Sequence, residues 1–338
     1  MFNLDFFKKK LVFGGLIDKN NREAVLIRCN QIRSGFKIHT CFHYHDSLAI
    51  ISQAQKELNI KPKLITKIYF NYDILSKRFN NVYNQLESIV EKLKFIPSEW
   101  DIQICCNPNY KFFDERFDFF KKKAIDNFKI KNFLIETFPL WEKNTKKIII
   151  NKKVDGSIFH QNILMRGCVD EIFKKKNYCT ISPLLGGLNV LDKYKSYSIL
   201  NEEKIIKFYN KFTNHFKLND YIDLNILLLI EEMKKENFIY TVTRVSSLAN
   251  YNNLLNRINN IINKNININN EEIKFVFNEH NKLGKIYIMD PYGVAYKNIF
   301  QRITKQKKTS LKYFFEKIFF GLKLNKKFPY IQKPKIWM

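Results

Sequence analysis

The chain has 338 residues, of which 45% are hydrophobic and 27% are charged, and its formal net charge is +26. This length suits one large α/β barrel or two ordinary domains, and the composition excludes a disordered chain. The charge comes mostly from lysine, and no nucleic-acid motif or arginine–aromatic cluster accompanies it, so we expect a solvated lysine surface and no nucleic-acid partner.

Short apolar, β-rich runs alternate with helical patterns from residue 10 to residue 262. Strands are predicted at 10–15, 36–40, 63–70, 100–106, 132–138, 157–164, 178–184 and 239–245, and helices at 47–60, 82–96 and 252–262. This order is typical of a (β/α)8 TIM barrel of the α/β class, which we assign to residues 1–270. A doubly wound parallel sheet is the alternative, but no strand is followed by a Gly-x-Gly-x-x-Gly motif.

The pattern changes in residues 271–338, which we predict to be a basic C-terminal extension of the barrel. The segment "EIKFVFNEHNKLGKIYIMD" predicts a β-hairpin that turns from Asn281 to Gly284. Residues 311–322 have the spacing of an amphipathic helix, which we expect to pack on the barrel, on a protein partner or on a second copy. A membrane-surface helix is the alternative, because residues 301–338 hold eleven Lys or Arg against one Glu.

The start of the chain and its cysteines indicate the compartment. The order of charged and apolar residues in "MFNLDFFKKKLVFGG" is not that of a signal peptide, and no apolar run is long enough to span a bilayer. The six cysteines include no Cys-x-x-Cys pair. The sequence therefore predicts a reduced, cytoplasmic protein without a transmembrane segment.

Reactive side chains of a TIM barrel lie at the carboxyl ends of its strands. Tyr44 follows the second predicted strand, and Lys67 lies near the end of the third. An ammonium beside a phenol stabilises the phenolate and lowers the tyrosine pKa, which suits proton transfer. We therefore predict that Tyr44 and Lys67 form a catalytic pair.

The motifs around this pair resemble those of the aldo-keto reductases. That family carries Asp-Thr-Ala-x-x-Tyr after the second strand, where this chain has "HTCFHY" at 39–44. The dipeptide Thr66-Lys67 is similar to the Thr-Lys of the third strand. The segment from Asp101 to Pro108 is similar to Asp-x-x-x-x-His-x-Pro, with Cys106 at the histidine position.

Later segments continue the resemblance, which spans residues 9–262. "HQNILMRG" at 160–167 resembles the motif of the sixth strand, and "SPLLGGL" at 182–188 resembles that of the seventh. "RVSSLANYNNL" at 244–254 is similar to the motif that opens the eighth helix. The family fold implied by these motifs is a (β/α)8 barrel.

The resemblance implies an oxidoreductase that uses NADP or NAD on a carbonyl or hydroxyl of a small, sugar-like molecule. Tyr44 would be the general acid and base, Lys67 would tune it, and His39 and Cys106 would occupy the other two catalytic positions. The residues implied to bind the cofactor are Ser182, Leu184, Gly186, Arg244, Ser246, Ser247 and Asn250. Ser246 and Ser247 are equally explained as helix N-caps, since caps and anion sites use the same backbone amides.

The departures from the family pattern support a second hypothesis. His39 replaces the family aspartate, so Lys67 lacks an evident counter-charge. The pair that holds the nicotinamide amide in the family falls near Glu136-Thr137. The alternative function is therefore a catalytically inactive barrel that serves as a binding or scaffold module.

A metal site is a further interpretation of the "HTCFHYH" segment. His39, Cys41, His43 and Cys106 supply nitrogen and sulfur ligands of the kind that bind zinc. His43, however, is expected beyond the strand, in the loop. We therefore interpret the segment as an altered reductase motif and predict no metal.

Overall fold

The computed structural model describes residues 4–14, 21–42, 44, 46–69, 75–105, 113, 115–137, 142–161, 163, 173–181, 183–184, 202–266 and 268–283. The strands are β1 (Leu11–Gly14), β2 (Lys37–Cys41), β3 (Lys63–Tyr69), β4 (Glu99–Cys105), β5 (Ile130–Glu136), β6 (Gly156–His160), β7 (Tyr178–Ile181) and β8 (Phe238–Arg244). The described helices are α1 (Leu4–Lys10), α2 (Arg22–Arg33), α3 (Ser47–Leu58), α4 (Leu75–Leu93), α5 (Glu115–Phe128), α6 (Glu142–Ile150), α7 (Glu202–His215), α8 (Tyr221–Met233), α9 (Leu248–Asn263) and α10 (Asn270–Lys282).

The strands form a closed barrel in chain order, and β8 pairs in parallel with β1. All eight predicted strands and the three predicted helices are present, so the TIM-barrel prediction is confirmed. Closure rules out the doubly wound sheet, which would leave two open edges.

Capping and turn residues at the two ends of α2 determine where β2, a strand of the candidate site, begins. The side chain of Asn21 accepts a hydrogen bond from the Ala24 amide and starts α2. At the other end of the helix, Gly35 takes a φ of 79°, and the Phe36 amide donates to the Gln31 carbonyl. Glycine adopts this left-handed conformation without steric strain, and the chain reverses there into β2.

Inward-facing side chains divide the barrel interior into an apolar and a polar part. The apolar cluster consists of Val12, Ile65, Leu134, Ile158, Cys179, Ile181, Tyr240 and Val242. On the polar side, Lys37 Nζ lies 2.5 Å from Asp101 Oδ2, and Asn132 Nδ2 donates to Asp101 Oδ1 at 2.7 Å. Asp101 is fully buried, so these partners compensate the loss of its hydration.

The predicted β-hairpin is wrong in its first half, because residues 270–282 form helix α10. The side chain of Asn269 accepts hydrogen bonds from the amides of Glu271 and Glu272, and Glu272 Oε2 accepts one from the Asn269 amide. This reciprocal capping box starts a helix, and it outweighs the β-rich alternation of "IKFVF". The second half of the predicted hairpin and the predicted helix at 311–322 lie outside the described residues.

The chain divides into two compact units. The first contains residues 1–159, 169–181 and 230–265, and the second contains 160–168, 182–229 and 266–338. Helices α7 and α10 pack within the second unit, where Lys211 Nζ lies 2.7 Å from Glu279 Oε2. The assignment of residues 271–338 to a separate domain stays a prediction, because the description ends at residue 283.

Two results bear on the predicted compartment. No described helix combines the length and the apolar character needed to cross a bilayer. The described cysteines Cys29, Cys41, Cys105 and Cys179 are all buried. The cytoplasmic location stays a prediction.

Arg28 provides a stability test within the first unit. Its guanidinium is 1% exposed and donates to Gln31 Oε1 at 2.7 Å, but within the described part of the chain its Nε and Nη2 have no hydrogen-bond partner. Burial lowers the pKa of Arg28 to about 10. Because an uncompensated buried charge is costly, Arg28→Met should raise the free energy of unfolding by about 1–3 kcal/mol in urea titrations. Arg33→Met, at an exposed position of the same helix, is the control, and a less stable Arg28→Met protein would contradict the prediction.

His280 gives the second unit a pH-dependent stability. Its ring is 4% exposed, and burial lowers its pKa from 6.5 to about 4. The unfolded chain therefore binds this proton at a higher pH than the folded chain does, and stability is lost as the pH falls from 6.5 toward 4. Between pH 7 and pH 5, wild type should lose about 2 kcal/mol more unfolding free energy than His280→Leu. Urea titrations of both proteins at the two pH values measure this difference, and an equal loss in His280→Leu would contradict the prediction.

Candidate functional site

The carboxyl ends of β2 to β5 carry the side chains of the candidate site. Lys67 lies near the end of β3, and Cys105 and Glu136 are the last residues of β4 and β5. Tyr44 follows β2 in a short turn, in which its amide donates to the Cys41 carbonyl at 3.0 Å. The Ser47 amide then donates to the Tyr44 carbonyl at 2.8 Å and begins α3. These two hydrogen bonds fix the Tyr44 backbone between the end of β2 and the start of α3.

Lys67 has a counter-charge, contrary to the sequence-based expectation. Its Nζ lies 3.8 Å from Glu136 Oε1, and the two side chains are 12% and 10% exposed. Two charges this deeply buried are screened far less than a surface pair. The carboxylate therefore comes from the fifth strand, whereas the family motif supplies it from the second.

The pKa of Tyr44 is raised, so the expected net lowering by Lys67 is wrong. Burial of the phenol is the largest cause, and the Lys67 charge opposes it without cancelling it. Cys41, Cys105 and Glu136 each raise the Tyr44 pKa further. Tyr44 is thus a neutral phenol at neutral pH, able to donate a proton.

Cys105 enters the site, although its neighbour Cys106 was the predicted residue. The Cys105 side chain is buried, and burial followed by the charge of Glu136 raises its pKa well above the usual range. The thiol therefore keeps its proton and donates a hydrogen bond to Glu136. Cys106 lies outside the described residues.

His39 lies in the barrel interior below this site. Its Nε2 is 2.8 Å from Gln103 Oε1, and Gln103 Nε2 is 3.7 Å from Cys105 Sγ. A Cβ atom on Gly14 would lie 3.1 Å from His39 Nδ1 and 2.6 Å from Val242 Cγ1. A glycine at the end of β1 therefore leaves the space in which the imidazole packs.

The start of α9 is already capped by side chains of this chain. Ser247 Oγ accepts from the Asn250 amide at 3.1 Å, and Asn250 Nδ2 donates to Ser246 Oγ at 3.0 Å. The Leu248 amide donates to Glu23 Oε1 at 3.0 Å. Of the two interpretations of Ser247, the N-cap is observed.

The other predicted cofactor-binding residues are only partly described. Arg244 ends β8, is exposed and pairs in register with Gly14. Leu184 is half-buried in the second unit. Ser182 and Gly186 lie outside the described residues, so their role in binding stays a prediction.

The metal interpretation has two of its four ligands in the described part of the chain. His39 and Cys41 both lie on β2 and are buried. Within the described residues, no three His, Cys, Asp or Glu side chains are placed to hold a metal ion. His43 and Cys106 lie outside that part.

Sequence reasoning missed Cys105, and it placed Glu136 only near the nicotinamide-amide position and not beside Lys67. Both were visible at predicted strand ends, where side chains of a TIM barrel meet. The sequence did not show that the Glu136 carboxylate reaches Lys67. Lys67 lies on β3 and Glu136 on β5, and β4 lies between these two strands.

Solved structures similar to this chain are aldo-keto reductases, whereas no protein-family model and no curated protein matches its sequence. An aldo-keto reductase from a Medee basin deep-sea metagenome library aligns with a TM-score of 0.53 and 13% identity, over 83% of this chain and 94% of its own. The aldose reductase of Giardia lamblia aligns with a TM-score of 0.56 and 10% identity, over 84% and 95%. A Bombyx mori aldo-keto reductase, in complex with NADP, aligns with a TM-score of 0.53 and 10% identity, over 82% and 91%. The chain therefore has the fold of the aldo-keto reductases.

Proposed function

We propose that this protein is a nicotinamide-dependent oxidoreductase that reduces the carbonyl group of a small, sugar-like molecule. The observation that carries the proposal is the convergence of Tyr44 and Lys67 at the carboxyl end of the barrel, with Glu136 as counter-charge. The likeness to an aldo-keto reductase in complex with NADP supports NADP or NAD as the cofactor.

The chemistry assigned to the chain is a proton transfer. When bound, a reduced nicotinamide would supply the hydride, and thus the two electrons, that reduction of the carbonyl carbon needs. Tyr44 donates its phenolic proton to the carbonyl oxygen, which completes the alcohol. Lys67 stabilises the phenolate left behind, and water returns the proton. The phenol is protonated at neutral pH, as proton donation requires, and its raised pKa makes Lys67 the group that must stabilise the phenolate.

The residues at the end of β5 fit an amide-bearing ligand. Thr137 is fully buried, and its hydroxyl has no hydrogen-bond partner among the described residues. A buried hydroxyl without a partner is costly, and a bound amide would supply one. Thr137 and Glu136 occupy the position at which the family motif holds the nicotinamide amide, so this chain would hold it with a hydroxyl and a carboxylate.

The start of α9 favours the second candidate function, a binding module without catalysis. A carboxylate, Glu23 Oε1, already accepts the Leu248 amide there. A phosphate at this helix start would have to displace Glu23 against charge repulsion. If neither dinucleotide binds, the barrel serves as a binding module.

Fluorescence titration with NADPH and NADH tests the cofactor, and Tyr44→Phe tests the proton donor. We expect at least one dinucleotide to bind below millimolar concentration, with the same Kd in wild type and in Tyr44→Phe. In a panel of small aldehydes, ketones and sugars, Tyr44→Phe should lower kcat by roughly 100-fold or more, the usual contribution of a general acid. Tyr251→Phe, outside the site, is the control. The proposal fails if neither dinucleotide binds at millimolar concentration.

Glu23→Gln tests whether a cofactor phosphate binds at the start of α9. The substitution removes the negative charge next to the Leu248 amide, so dinucleotide binding should tighten roughly two- to five-fold, the size of a helix-terminus charge effect. Glu57→Gln removes a carboxylate from α3 and should leave the Kd unchanged. An unchanged Kd in Glu23→Gln would place the phosphate elsewhere.

A further inference from the structure

Glu136 is the acidic group around which the candidate site is arranged. We propose that Glu136 is its positioning residue: the carboxylate holds the Lys67 ammonium in place of the family aspartate, and its charge opposes ionisation of Tyr44. The catalytic meaning of this assignment rests on the proposed function, but the electrostatic arrangement does not.

The geometry explains how a residue of the fifth strand can serve a lysine of the third. Lys67 is in register with Gln103 of β4, and Gln103 is in register with Leu134 of β5. Glu136 therefore lies two residues beyond the level of Lys67 and projects on the same face of β5 as Leu134, whose side chain lies in the interior cluster. The long lysine side chain spans the remaining distance, and its Nζ ends 3.8 Å from Glu136 Oε1.

A second partner orients the carboxylate. The Cys105 thiol donates a hydrogen bond to Glu136, and burial together with the Glu136 charge raises the Cys105 pKa, which keeps the thiol protonated. Glu136 thus accepts a hydrogen bond from a thiol of β4 and faces an ammonium of β3. A carboxylate held from two sides loses little rotational freedom when a substrate binds.

The groups around Tyr44 come from four strands. β2 supplies Cys41 and His39, whose ring centroid is 6.4 Å from that of Tyr44. β3, β4 and β5 supply Lys67, Cys105 and Glu136. The ammonium and the carboxylate act on the phenol in opposite directions. With both present, the two charges oppose each other, so no net positive charge offsets the effect of burial on the Tyr44 pKa.

Removal of the Glu136 charge should therefore make Tyr44 more acidic. Carbon-13 NMR of protein labelled at the tyrosine ζ carbon reports each phenol, and Tyr44→Phe identifies the Tyr44 signal. In Glu136→Gln, the midpoint of the Tyr44 titration should move to lower pH than in wild type. In Lys67→Met it should move to higher pH, because the favourable charge is lost. Glu99→Gln, at the amino end of β4, should leave it unchanged.

A Tyr44 midpoint that stays in place or rises in Glu136→Gln overturns the proposal. If Glu136→Gln does not fold, Lys67→Met is compared with Lys67→Met/Glu136→Gln, which carries neither buried charge. The double variant should titrate at lower pH than Lys67→Met, and equal midpoints overturn the proposal. The measurement uses no cofactor or substrate, so a shifted midpoint in a protein that binds no dinucleotide supports the role of Glu136 while refuting the proposed reductase.

Discussion

Closure of the strand ladder between β1 and β8 is the constraint on which the site depends. A parallel barrel points every second side chain inward and brings the carboxyl ends of all its strands to one rim. Lys67 and Glu136 lie on strands that are not neighbours, so they meet only because both project into the same interior. An open sheet with the same strands would let these two side chains diverge with its twist.

Buried charge in this barrel is arranged in pairs at its two ends. Lys37 and Asp101 pair at the amino end, and Lys67 and Glu136 pair at the carboxyl end. The first pair is completed by the amide of Asn132, and its carboxylate is fully buried. The second is slightly exposed and keeps a thiol as its additional partner. The difference suits a structural role for the pair at the amino end of the barrel and a ligand-facing role for the pair at its carboxyl end.

The strands could be predicted because both faces of a parallel barrel strand are buried, which produces short continuous apolar runs. Tyr44 and Lys67 were predicted from their positions at strand ends and from the order of the family motifs along the chain. That order is kept even where neighbouring residues differ from the family pattern. Helix α10 was missed because its β-rich residues were weighted above the capping pair Asn269 and Glu272, which was visible in the sequence. The raised pKa of Tyr44 could not be predicted, because it follows from how deeply the fold buries the phenol.

Substitution of the family aspartate by His39 changes where the negative charge of the site lies. His39 bonds to Gln103 in the interior, and the negative charge moves to Glu136 on the opposite side of Lys67. There it opposes ionisation of Tyr44, which disfavours the phenolate that a proton donor leaves behind. Under the proposed function, a carboxylate near a bound nicotinamide would stabilise the cationic oxidised form over the neutral reduced form. The same carboxylate would thus favour hydride donation while it weakens Tyr44 as an acid, and the Lys67 ammonium is the group that offsets the second effect.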